Sequence, residues 1–113
     1  MGGAFTVTVR HGPKVTRERY DQLEAALTAL EAGMDDLSHR ARRAPVDLSY
    51  KRFEPVQQVA ARGEISGPRR LHGGIDIRGD GSAEAYTGKV RRRLVEQRDG
   101  ESPCDALRRA LSG

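Results

Sequence analysis

Arg91, Arg92 and Arg93 are consecutive, and Arg69 adjoins Arg70. Their shared chemistry is the holding of phosphate oxygens. A guanidinium presents five N–H donors in a planar fork that matches phosphate, and a surface that neutralises several phosphates binds in a strongly salt-dependent way. Lys89 extends the triplet, and Lys51-Arg52 stands between Tyr50 and Phe53, so that charge adjoins rings on which unpaired bases stack. The expected nucleic-acid-binding set is therefore Lys51, Arg52, Arg69, Arg70, Lys89, Arg91, Arg92 and Arg93. A plainer reading stands beside each part of it. Arginines on a solvated strand edge discourage strand-to-strand aggregation, and Tyr50 reads more readily as a core residue than as a stacking ring, with Phe53 covering the end of a sheet.

The other reactive side chains do not converge. His11, His39 and His72 fall in three separate segments without metal-ligand spacing, and Cys104 is remote from all of them in sequence, so neither a zinc site nor a Cys/His nucleophile is indicated. Asp76, Asp80 and Gly81 outline the start of a calcium loop, but Arg78 and Thr87 occupy positions where ligands belong. Arg78-Gly79-Asp80 reads as a tight turn, and Gly73-Gly74 as bulges or close approach between strands rather than a phosphate-binding loop. Asp35 and Asp36 point in different directions on a helix and have no evident second partner. No catalytic residue, metal or cofactor is expected, and a non-enzymatic protein is the leading reading.

The elements that must position the arginines occupy a chain of 113 residues, one domain's worth, taken as a single domain over 1–113. Two Phe, three Tyr and no Trp leave the core to Leu, Val, Ile and Ala. A lone cysteine fits a reducing compartment, and no apolar stretch suits a membrane span or a signal-peptide core, so a cytoplasmic protein without membrane contact is expected. The formal charge is +4, and seventeen of the twenty basic residues are Arg, a bias that a GC-rich genome also produces. Its distribution is more telling. Residues 38–70 carry a formal +5 and residues 86–98 a formal +4, whereas the first thirty-seven are close to neutral. No internal repeat or low-complexity segment is present.

Phe5, Val7 and Val9 alternate with Thr6, Thr8 and Arg10, the period of a half-buried strand over 4–10, ended by Gly12-Pro13. Thr16 is placed to cap a helix with Tyr20, Leu23, Leu27, Leu30 and Met34 on one face; Gly33 interrupts it or residues 35–44 continue it. Strands are expected at Val46–Phe53, Gln57–Ser66 and Leu71–Arg78. Residues 83–98 fit either a helix capped by Ser82 or a strand returning from Asp80-Gly81; Thr87-Gly88 favours the strand. A closing helix follows over 102–111, with Ser102 ahead of Pro103 at its first position. The expected class is α+β, in the order β-α-β-β-β(-β)-α, a mostly antiparallel sheet packed on one face by helices.

That order, with Phe5–His11 as its first strand, Val46-Asp47-Leu48-Ser49-Tyr50-Lys51-Arg52 as the second and Gln58–Ile65 as the third, resembles the ribosome hibernation-promoting factor and ribosome-associated inhibitor family. The last strand of that family leads directly into a basic amphipathic helix, which fits here only if residues 83–98 are helical. The resemblance implies a non-enzymatic factor seated on the RNA of the small ribosomal subunit, where it blocks tRNA and mRNA access. Two other classes stand behind RNA binding. One is a protein-interaction subunit or homodimer using a sheet edge or the Ala-rich helix; the other is a small-ligand enzyme, which requires a pocket bringing His72, Asp76 or Tyr86 together.

Overall fold

The computed structural model describes residues 3–43, 59–89 and 91–112. The expected strand at Val46–Phe53, with Lys51 and Arg52, lies outside the described residues. Gly12 and Pro13 form a two-residue reversal: Gly12 takes a left-handed φ of 60°, which suits the first central position of a hairpin loop, and His11 pairs with Lys14 across it. The chain therefore returns as a second strand where a helix was expected. Strand β1 (Phe5–His11) pairs along its whole length with β2 (Lys14–Tyr20), so Thr16 is a strand residue rather than a helix cap. Helix α1 (Leu23–Arg43) begins only after Tyr20, and it continues through Gly33.

After α1 come β3 (Val59–Ser66), β4 (His72–Arg78), β5 (Ala83–Thr87), β6 (Arg93–Val95) and α2 (Pro103–Ser112). The six strands form one sheet in the order β2-β1-β3-β4-β5-β6, with every neighbouring pair antiparallel. The class is α+β, with a mostly antiparallel sheet packed against helices, as the alternating segments predict. Residues 83–98 resolve as strand, turn and short strand. Gly81, at φ 88°, makes the β4–β5 turn, closed where the Arg78 N–H donates to the Ser82 carbonyl at 2.9 Å.

Both helices lie on the same face of the sheet, α1 over β1 and β3 and α2 over β4 and β5. On that face Val7, Ala61, Ile65, Ile75, Ile77 and Ala85 meet Ala26, Leu27, Leu30 and Met34 of α1 and Leu107 of α2. Gly63 faces α1 without a side chain, and a Cβ there would come within 2.5 Å of both Leu30 Cδ1 and Met34 Sδ. That notch lets the helix lie close to the strand. α2 starts with a reciprocal cap: the Asp105 N–H donates to Ser102 Oγ at 3.1 Å, and the Ser102 N–H donates to Asp105 Oδ2 at 3.2 Å. Arg108 then reaches Glu24 in the first turn of α1 at 2.8 Å, joining the two helices at their exposed side.

Leu30 is fully buried at the centre of the α1 contact. Leu30→Ala is expected to lower unfolding free energy by about 2–5 kcal/mol in urea titrations, since the lost transfer energy adds to the cost of a cavity that the strand beneath cannot fill.

Candidate functional site

Cross-strand register assigns the residues of the face that the helices leave uncovered. One row runs Arg19, Thr6, Ser66 and His72 from β2 to β4; the next runs Arg17, Thr8, Glu64, Gly74, Tyr86 and Leu94 from β2 to β6; a third runs Arg10, Arg62, Asp76 and Glu84 from β1 to β5. Much of this face is internally neutralised. Arg62 grips Asp76 with two N–H groups, at 2.6 and 3.2 Å, a bond that raises the guanidinium pKa further. Arg78 meets Glu84 at 3.2 Å. The His72 ring reaches Glu64 through Nε2 and the Gly88 carbonyl through Nδ1, each at 3.2 Å. A protonated ring donates to both.

Tyr86 lies at the centre of these rows. Its ring crosses Gly74, where a Cβ would come within 2.6 Å of the hydroxyl, so the bare glycine is what admits it. Arg92 sits over the ring, 4.8 Å from its centroid, and Arg62 lies 6.0 Å away. Only 2% of the residue remains exposed, and the buried hydroxyl has no hydrogen-bond partner among the described residues. Burial, reinforced by the nearby Glu64 carboxylate, pushes the phenol up to about 12.

Two connections gather six basic residues at one end of the sheet. Between β3 and β4, Pro68 to Leu71 forms a turn closed by the Leu71 N–H on the Pro68 carbonyl at 3.2 Å, and its two central residues are Arg69 and Arg70, at φ 59° and 61°. The connection from β5 to β6 leaves from the same end, since the Gly88 N–H donates to the His72 carbonyl at 2.9 Å. Thus Arg69, Arg70, Lys89, Arg91, Arg92 and Arg93 share one end of the fold, all exposed and none in an ion pair with a carboxylate among the described residues. Arg108 and Arg109, by contrast, are structural. Arg109 clasps Glu101 through two bonds of 3.0 Å and also donates to the Glu96 carbonyl at 2.8 Å. Sequence reading missed two members of the site. Arg19 was assigned to a helix, yet its row adjoins the arginine-bearing end; the seat of Arg92 on Tyr86 joins residues six apart, and only a chain reversal brings them together.

His72, Asp76 and Tyr86 share the uncovered face, but they bond to Glu64, to Arg62 and to nothing, respectively, rather than to one another. A cavity of about 330 Å3 opens at the far end, between α1, the start of α2 and the β4–β5 turn, with Asp35, His39 and Cys104 on its wall. Burial pushes the Cys104 thiol up to about 12, so it is protonated at neutral pH. Among the described residues no group of His, Cys, Asp and Glu side chains has the arrangement of a metal site, and no helix is long and apolar enough to cross a membrane.

No family profile, no curated protein and no solved structure matches this chain.

The Tyr86 hydroxyl generates a prediction with a definite sign. Its folded pKa lies above the ordinary value of about 10, so its contribution to stability is constant below that value and falls as pH rises toward 12. Tyr86→Phe, which removes an unpartnered buried hydroxyl, is expected to unfold at equal or higher urea concentration at pH 7. Denaturation series between pH 9 and pH 12 are expected to show a shallower alkaline loss for the variant than for the wild type.

Proposed function

We propose that this chain is a non-enzymatic RNA-binding protein that grips phosphates through the arginine-bearing end of its sheet. The small ribosomal subunit is the RNA-bearing partner that the resemblance to the hibernation family implies, although strands at Ala83–Thr87 and Arg93–Val95 stand where that family has its basic closing helix. The observation that most supports this reading is the conformation of Arg69 and Arg70. Two successive left-handed residues at the centre of a tight turn favour Asn-Gly, and a side chain with a Cβ pays roughly 1–2 kcal/mol for each such position. Arginine there opposes local stability, while it projects two unpaired guanidinium groups from the tip of the turn. Lys89, Arg91, Arg92 and Arg93 extend the same positive end from the neighbouring connection. Six cations contacting phosphate would give a slope of roughly −4 to −5 in log affinity against log salt, between single-strand and duplex behaviour.

A second reading has one observation in its favour. Leu94 is 71% exposed on β6, an edge strand of three residues, a feature suited to strand addition by a protein partner or a second copy.

The test is sedimentation of the purified protein with small ribosomal subunits and with free RNA across a salt series. It compares the wild type with Arg69→Asn/Arg70→Gly and with Arg91→Ala/Arg93→Ala. The turn variant is expected to gain about 1 kcal/mol in unfolding free energy while losing about tenfold or more in RNA association, and the second variant is expected to bind weakly with stability unchanged. Association that both variants retain would refute phosphate contact. Salt-insensitive self-association abolished by Leu94→Lys would transfer support to the protein-partner reading.

A further inference from the structure

Tyr86 is the one aromatic residue on the uncovered face among the described residues; Phe5 and Tyr20 pack against the core on the helix side. A ring in that position normally stacks against neighbours or hydrogen-bonds through its hydroxyl. This hydroxyl bonds to nothing, and the ring is set into the sheet over Gly74. What the ring does is hold a cation. The two guanidinium groups near it differ in a way that matters. Arg62 is tied to Asp76 by two hydrogen bonds and lies 6.0 Å from the centroid. Arg92 has no carboxylate partner among the described residues, remains exposed, and lies 4.8 Å over the ring. Contact with an aromatic face restrains this long side chain against the sheet and leaves its other side to solvent. A phosphate needs no such seat, because a solvated guanidinium holds it through its N–H donors alone. A planar, weakly hydrated guanidinium held still on an aromatic ring is instead a surface on which a second flat group can stack.

Resting on the RNA reading above, we infer that the solvent side of Arg92 takes an unpaired nucleobase, layered as base, guanidinium and phenol, while Arg91 holds a phosphate of the same strand. The preferred ligand is single-stranded RNA with an unstacked base, rather than duplex or bare polyanion. The Tyr86 hydroxyl takes no part in this layering, whereas the planarity of the group at position 92 is essential to it. Lysine at that position keeps the charge and loses the stacking surface.

The experiment is fluorescence anisotropy with two labelled strands of about ten nucleotides, within the span of single-strand binding sites. One is an unstructured RNA and the other is the same ribose-phosphate backbone without bases. Wild type and Tyr86→Phe are expected to prefer the RNA by about five- to tenfold, in the range of one base stack. Arg92→Lys is expected to lose most of that preference while keeping its salt dependence, and Arg91→Lys to keep the preference. Equal binding of both strands by the wild type would overturn the inference and leave phosphate binding intact, as would identical behaviour of Arg92→Lys and Arg91→Lys. Binding of neither strand would overturn the RNA reading as well.

Discussion

The close approach of α1 to β3 at Gly63 governs much of this molecule. Leu30 and Met34 occupy the space that a side chain would need, and seating the helix there fixes which side of β3 is buried. Because side chains alternate along a strand, Ala61, Gly63 and Ile65 go to the helices, and Arg62, Glu64 and Ser66 go to the other side. Antiparallel pairing transmits that choice to both neighbours. β1 contributes Thr6, Thr8 and Arg10 to the uncovered face, and β4 contributes His72, Gly74 and Asp76. A slip of one residue would bury Arg62 and Glu64 and expose Ile65.

Polar groups on that face divide by location. In the middle of the sheet, acids and bases meet across strands, as in Arg62 with Asp76 and His72 with Glu64, and these half-buried contacts fix register more than they add energy. At the end holding the β3–β4 turn, Arg69, Arg70, Lys89, Arg91, Arg92 and Arg93 have no carboxylate partner among the described residues. Sequence position explains part of this: Glu64, Asp76 and Glu84 lie within strands, and Arg69, Arg70, Lys89, Arg91 and Arg92 lie in the connections, where no opposing strand residue exists to answer them, while Arg10, Arg17 and Arg19 are strand cations of the β1–β2 hairpin. Net charge alone, only +4, hides this arrangement.

The strands with apolar alternation, β1, β3 and β4, and the Ser102-Pro103 start of α2 were legible in the sequence because each has both a period and a boundary signal, whereas β5 lies in a segment that fits a helix or a strand. β2 was not. It is an edge strand whose residues are nearly all exposed, so it has no apolar face to impose a period of two, while Tyr20 stands three residues before Leu23 and imitates the next turn of a helix. The Gly12-Pro13 reversal was read as an end of structure, although Gly in the first of two loop positions is also a hairpin signal. The arginine clusters were visible as composition, and their common end became apparent only through the chain reversals at Arg69-Arg70 and Gly88. Arg19 and the Tyr86–Arg92 contact needed the register itself. Nothing local to either residue pointed to it.

The order β2-β1-β3-β4-β5-β6 also divides the sheet by sequence distance. β3 to β6 form a meander of consecutive neighbours, and β1 with β2 form a hairpin, so each half closes short loops of chain. The two halves join at one seam, β1 against β3, where Val9 faces Gly63. Closing that seam demands the long crossover through α1, so its ordering entropy falls on a single strand pair. The arginine-bearing end beyond β3 is built within the meander, from contacts that form without waiting for the crossover. In native-state hydrogen exchange, this seam would be the boundary between two cooperative units, with the arginine-bearing end belonging to the more locally assembled one.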